Sequence, residues 1–243
     1  MLLTTINLQN FRNFSKSTFN FSPGATVIIG PNGIGKTNLL EAIYLLATGK
    51  SFRSGIIEED MIRMEREIAR IEGRVESDES RIKLNVVLTR GEVGGEKVSR
   101  KKLSVNGLPK RLVDFASQLQ VVLFGPWDLG LIIDSPSVRR KFLDAVLSQT
   151  DREYARAILS YEKGVRSRNK LLERIRDQGA NRGQLLFWNQ LLIRSGDYIS
   201  RRREEFISFI NSTVQFSTTN YQVVYDKSAI SEARLEQYAI EEV

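Results

Sequence analysis

The residues best placed to do chemistry are Gly30, Pro31, Asn32, Gly33, Ile34, Gly35, Lys36 and Thr37, which spell a complete GxxxxGK(S/T) loop. Residue types at this spacing suit a polyphosphate: glycines let backbone N–H groups approach its oxygens closely, and a lysine adds a mobile positive charge. A threonine beside that lysine supplies a hydroxyl suited to Mg²⁺. ATP with Mg²⁺ is therefore the expected cofactor, Lys36 the expected partner of the β and γ oxygens, and Thr37 the expected metal ligand.

Such a loop works only if it is held between the right elements. Residues 25–29, with Val27, Ile28 and Ile29, read as a buried strand feeding the loop, and residues 38–47, beginning at Asn38, read as a helix. That helix would aim its positive end at the phosphates. A chance glycine-rich turn rarely comes with both flanks.

No other chemistry competes with nucleotide binding. The 243 residues include no cysteine and no histidine, which excludes disulfides, thiolate metal sites and Ser-His or Cys-His catalysis. No apolar run is long enough for a bilayer, and the first residues lack a signal-peptide pattern, so a cytoplasmic protein without a membrane partner is expected. The 36 Lys and Arg against 29 Asp and Glu give a net charge of +7, which favours polyanions. The cations cluster at Arg100 to Lys102, at Arg139, Arg140 and Lys141, around Arg166, Arg168 and Lys170, and at Arg201, Arg202 and Arg203. Each cluster reads either as a solvated face or as a contact for a polyanion.

The first half of the chain is strand-like. Residues 2–8 and 17–21 suit a hairpin around Asn10-Phe11-Arg12-Asn13-Phe14, and residues 67–75, 81–89 and 97–105 suit antiparallel strands with turns at 91–95 and Asn106-Gly107. Residues 109–119 suit a short helix, and 120–124 a buried strand. From Pro126 the period becomes helical. Tyr154, Ile158, Tyr161, Val165, Leu172 and Ile175 mark one long helix over 151–177, and Leu185, Trp188, Leu192, Ile199, Phe206 and Ile210 mark a second. The fold class is α/β: a nucleotide-binding lobe over 1–125 with a mixed sheet and an antiparallel β region, then a helical lobe over 126–243 built on a long antiparallel αα-hairpin.

Hydrolysis requires more than a phosphate loop. The nearest approach to a Walker B element is Leu131-Ile132-Ile133-Asp134, but Ser135-Pro136 follows, and the segment reads equally as a short helix that Asp134 ends. No catalytic residue is assigned, and no LSGGQ-like signature is present. The chain by itself is expected to bind ATP weakly and not to turn it over.

Four motifs in order, Asn10 to Phe14, Gly30 to Tyr44, Gly49-Lys50-Ser51-Phe52-Arg53, and Ser135 to Asp144, resemble the RecF family of bacterial DNA replication and repair proteins. Trp127 departs from the family pattern, which carries Glu there. The resemblance implies an ABC-type ATPase head related to Rad50 and SMC heads, with weak DNA-dependent ATPase activity when complete. It also implies ATP-dependent homodimerisation, binding of single-stranded and duplex DNA in recombinational repair and SOS induction, and recombination mediator proteins as partners. By the same analogy Arg12 and Asn13 lie beside the nucleotide, and Arg53 approaches phosphates or DNA, although Arg12 reads equally as a hairpin-tip arginine. Family members are longer, so the chain reads as an N-terminal portion ending in mid-helix. Two readings of other classes remain: a P-loop phosphotransferase with a helical lid over a small acceptor, and a helical scaffold with a degenerate site.

Overall fold

The computed structural model describes residues 1–53, 55–77, 80–213 and 222–225. The expected mid-helix end at 234–243 lies outside them. The chain divides into two compact units, Met1–Asp128 and Leu129–Val243.

In the first unit, strands β1 (Leu2–Phe11), β2 (Phe14–Asn20), β3 (Ile68–Glu76), β4 (Arg81–Thr89), β7 (Lys101–Val105) and β8 (Leu108–Pro109) form one antiparallel sheet in the order β2-β1-β3-β4-β7-β8. Two short strands, β5 (Glu92–Val93) and β6 (Glu96–Lys97), make a separate ribbon. Strict alternation sets the register: Ala69, Ile71 and Val75 on β3 and Leu84, Val86 and Leu88 on β4 all point to one face, where they are buried. Helix α1 (Lys36–Thr48) covers that face with Leu39, Ala42, Leu45 and Leu46, at the three- and four-residue spacing of one helical stripe. Each fully buried leucine contributes about 1.5–3 kcal/mol. Gly73 on β3 makes the close fit possible, since a Cβ there would fall inside the Leu46 side chain. Gly49, left-handed at φ 68°, ends α1 by returning its N–H to the Leu45 carbonyl at 2.8 Å. Helix α2 (Leu112–Ala116) adds Phe115 to the same core.

Two expected strands are corrected. Residues 25–29 and 120–124 are irregular, and Val27, Ile29, Val122 and Phe124 are 81–92% exposed. Their apolar pattern suits a buried strand, but a strand exists only against a ladder of partner N–H and C=O groups. Among the described residues no strand lies alongside either segment.

The second unit is helical. The segment over Leu131 to Ile133 belongs to a short helix, α3 (Gly130–Ile133), with Asp134 as its C-cap, so no Walker B strand forms there. Pro136 opens α4 (Pro136–Thr150) at its first turn, where a missing N–H costs nothing. Asp151 caps α5 (Arg152–Gln178), its carboxylate accepting from the amides of Glu153 and Tyr154 at 2.9 and 3.0 Å. Gly179 closes α5, and α6 (Leu185–Thr213) returns antiparallel to it. Leu171, Leu172 and Ile175 pack on Leu185 and Trp188 near the turn, while Tyr154 packs with Ile199 and Phe206 toward the other end. None of the described helices is long and apolar enough to cross a membrane.

Candidate functional site

The loop of Gly30 to Thr37 leads directly into α1, and Gly35 is the residue on which its shape turns. Gly35 is the N-cap at φ 111°, a conformation that L side chains rarely adopt, and a Cβ there would lie 2.7 Å from the Asn13 amide and 2.9 Å from the Phe14 ring. Gly30 and Gly33 also carry positive φ. No side chain caps α1. The first-turn amides of Lys36, Thr37 and Asn38 therefore have no acceptor inside the helix, and the helix dipole adds partial positive charge at the same place. No acidic residue occupies that first turn. Pro31, Asn32, Gly33, Ile34 and Thr37 are exposed.

Lys36 curls back over the loop, its ammonium donating to the carbonyls of Gly30 at 2.7 Å and Pro31 at 2.9 Å. These bonds tether the ammonium to the first two residues of the loop. The residues present thus fit a polyphosphate: a cation, open amides and no competing anion. They also fit one Mg²⁺ ligand, the exposed Thr37 hydroxyl. Among the described residues no group of three or more acidic side chains could hold a metal by itself. Phosphate oxygens would have to complete any Mg²⁺ shell.

Behind the loop lies a polar network that joins four segments. Asn13 donates to the Ile34 carbonyl at 2.9 Å and accepts from Asn38 at 2.8 Å, so the hairpin tip braces both the loop and the first turn of α1. Arg63 holds that tip in turn, donating to the Asn13 carbonyl at 2.7 Å. Asn38 also accepts from Arg53 at 2.7 Å. At the centre is Glu41, 0% exposed. It takes two hydrogen bonds from Arg12, at 2.8 and 2.9 Å, and one from the Ser51 hydroxyl at 2.6 Å, with Arg53 3.5 Å away. Arg12 also donates to the Asp60 carbonyl at 2.8 Å.

These partners define what each residue does in the structure. Arg12 has φ 50° and all three of its guanidinium nitrogens in hydrogen bonds, so it ties the hairpin tip to α1 rather than facing the open loop. Asn13 lies against the loop through Ile34. Arg53 sits beside Asn38 and is a third exposed. The sequence reading missed Glu41 and Ser51. Their signal was present: Glu41 is a lone carboxylate within the apolar run of α1, and an ionised group in such a place needs a cation. Phe52 stacks on Trp127 at 5.4 Å and meets Tyr44 edge-on at 5.7 Å, so position 127 serves packing of the 49–53 segment. Burial there pushes the Tyr44 hydroxyl pKa up.

The basic clusters of the second unit separate in the same way. Arg140 and Lys141 on α4 are exposed, while Arg139 donates to the carbonyls of Leu131 and Asp134 at the end of α3. On α6, Arg203 is bound by Asp144 at 2.6 Å and by the Tyr154 hydroxyl at 3.0 Å, pinning α4, α5 and α6 together. Arg202 is bound by Asp151 at 2.8 Å and by Glu205. Arg201 is exposed and lies over the Tyr198 ring at 5.4 Å. Arg202 and Arg203, grouped with Arg201 by sequence as candidate DNA contacts, are engaged by these carboxylates. Arg168 likewise is buried, donating to Asn189 at 3.0 Å.

Comparison with known proteins agrees with this architecture. A family model described as an AAA domain matches residues 5–226. DNA replication and repair protein RecF of Natranaerobius thermophilus is 38% identical over 208 residues, 85% of this chain and 52% of that protein. RecF of Halalkalibacterium halodurans is 36% identical over 211 residues, covering 86% and 54%. A solved structure of the recombination mediator protein RecF with ATP, in the RecFOR pathway, superposes with a TM-score of 0.77 at 32% identity, covering 87% of this chain and 55% of that one. The chain thus spans about half the length of the curated relatives it matches. The fold is that of an α/β ABC-type ATPase head. The chain belongs to the AAA-domain family, and the relatives it matches there are RecF proteins.

Proposed function

We propose that this chain is the nucleotide-binding portion of a RecF-type DNA replication and repair protein, with its nucleotide lobe over 1–125 and its helical lobe over 126–243. ATP is held at Gly30 to Asn38, with Lys36 on the β and γ oxygens and Thr37 on Mg²⁺. The bound metal ion would neutralise phosphate charge. Asn13 and Arg12 act one layer behind, Asn13 by fixing the Ile34 carbonyl and Arg12 through Glu41. The reading extends to a cytoplasmic protein that pairs with a second head in an ATP-dependent manner and binds single-stranded and duplex DNA in recombinational repair and SOS induction, with recombination mediator proteins as partners. Candidate DNA contacts are Arg53, Arg139, Arg140, Lys141 and Arg201.

The observation that carries this reading is the uncapped start of α1 at the end of a loop whose first two carbonyls hold the Lys36 ammonium. A helix N-terminus without a side-chain cap, with a lysine that has no carboxylate partner among the described residues and with no acid in its first turn, suits an anion. The test is a titration of the chain with a fluorescent ATP analogue in Mg²⁺, before and after Lys36→Ala. A charge-assisted hydrogen bond is worth about 1.5–3 kcal/mol, so affinity should fall by about 10- to 150-fold. The fold should survive, because the side-chain hydrogen bonds of Lys36 stay within its own loop. Unchanged affinity would remove Lys36 and the loop from the site.

A further inference from the structure

The sheet of the first unit has a second face, opposite its core, that the nucleotide site does not use. Register lines its side chains up in rows that run across the strands. One row is Lys16, Gln9, Arg70, Val87 and Lys102; the next is Thr18, Asn7, Glu72, Asn85 and Ser104; the third is Asn20, Thr5, Arg74 and Lys83. These three rows hold five cations and one carboxylate, and the next row along β3 and β4 adds Glu76 and Arg81, paired with each other at 3.3 Å. Glu72 is already paired with Lys83 at 2.7 Å. Lys16, Arg70, Arg74 and Lys102 are exposed, with no ion pair among the described residues. A groove of about 300 Å³ runs between Lys16, Gln9, Asn7, Arg70, Glu72 and Asn85. In its lining the Asn85 side-chain oxygen is buried without a hydrogen-bond partner. Amphipathic sheets commonly turn a mixed-charge face to water. Both carboxylates of this one are paired, Glu72 with Lys83 and Glu76 with Arg81, which leaves four exposed cations over and suits a polyanion.

We propose that this sheet face is a docking surface for the phosphate backbone of duplex DNA. The inference rests on the DNA-binding part of the function proposed above and assigns that binding to a surface distinct from the α4 and α6 cations. The spacing supports a duplex. Four residues separate the first row from the third, about 13 Å along the strands at ~3.3 Å per residue. That distance is on the scale of the grooves of B-form DNA, roughly 6 and 12 Å wide. From β2 to β7 the face spans about 19 Å at ~4.8 Å per strand. Cation rows then meet the two phosphate strands bordering a groove, and the amides of Asn7, Gln9 and Asn85 face the groove between them. Contacts of this kind position a duplex without reading its sequence.

The test measures binding of a mixed-sequence 30-base-pair duplex to the whole chain, with ATP and Mg²⁺, by fluorescence anisotropy across a salt series. Arg70→Glu/Arg74→Glu should weaken binding at least tenfold at low salt and flatten the log-log salt slope by about 1.8, since each phosphate contact contributes about 0.9. Lys16→Gln/Lys102→Gln, a milder change at exposed positions, should flatten it by a similar amount. ATP-analogue affinity, which depends on the opposite side of the sheet, should stay unchanged in both variants and so reports an intact fold. If the wild type binds with a steep salt slope and both variants match it, the sheet face is not the surface, although the DNA-binding reading stands. If the wild type itself shows no salt-dependent binding, the DNA-binding reading fails and this assignment with it. If polyglutamate reverses the pairing by binding the wild type while the duplex does not, the face recognises acidic protein and the proposal is overturned.

Discussion

Glu41→Ala should cost the first unit about 3 kcal/mol of stability. Breaking a buried ion pair from one side costs about 3–5 kcal/mol, because the surviving charge keeps its desolvation penalty and loses its partner. The surviving charge here is chiefly Arg12, whose side chain is 14% exposed and donates twice to Glu41. Arg53, 33% exposed, and the Ser51 hydroxyl lose an acceptor as well. Water can reach Arg53 and part of Arg12, which sets the expected value at the low end of that range. Arg12→Met/Glu41→Met removes both charges and should lose less than the single change, with a coupling on the order of 1–3 kcal/mol. The assay is urea unfolding followed by Trp127 fluorescence in a Trp188→Phe background. Trp127 lies in the first unit and Trp188 in the second, so their signals must be separated before a two-state analysis applies. A loss below about 0.5 kcal/mol for Glu41→Ala, the scatter of an ordinary surface change, would refute the reasoning. A double variant no more stable than Glu41→Ala would show that the penalty comes from something other than the stranded Arg12 charge.

Two further outcomes are expected. Gly35→Ala should abolish ATP-analogue binding and destabilise the unit by about 1–3 kcal/mol, since it forces a Cβ into both a left-handed backbone and the Asn13 amide; calorimetry with a melting curve checks both. Stability of the helical unit should fall in acid through Asp151: burial raises its pKa, but hydrogen bonds from the Tyr154 amide, Tyr198, Arg202 and the Glu153 amide outweigh burial and leave it below 3.8. A carboxylate depressed in the folded state gives stability that is present above its unfolded value and lost as pH falls through the folded one, so the loss should lie below pH 3.8 and shrink in Asp151→Asn when far-ultraviolet dichroism is followed against pH.

The parts of the fold that were legible are those whose pattern is local. The β1–β2 hairpin, β3, β4 and the two long helices each carry a period of two or of about 3.6 over seven or more residues, and each forms within a few residues of its expected bounds. Asn106 and Gly107, at φ 50° and 80°, make the turn that their types predict. The bend of the Gly30–Gly35 loop and the helix that follows it were legible for a related reason: positive φ at Gly30, Gly33 and Gly35 and a helix starting at Lys36 follow from local residue types.

What stayed hidden depends on partners far away in sequence. The run of Thr26, Val27, Ile28 and Ile29 has the composition of a strand, yet pairing is a property of two segments, and composition describes one. Charge behaves in the same way. Arg201, Arg202 and Arg203 are consecutive and chemically alike, but 100° of helical rotation per residue turns Arg203 to Asp144 and Tyr154, Arg202 to Asp151, and Arg201 to water over Tyr198. A run of cations in a helix therefore divides among faces, and its net charge overstates what any one partner can meet. In a strand the opposite holds. Arg70, Glu72 and Arg74 alternate with buried residues and so keep to one face, where Lys16, Lys83 and Lys102 from three other strands join them. No window of the sequence contains that group. Sheet register assembles a broad basic surface from residues that look scattered, while helical rotation disperses a cluster that looks concentrated.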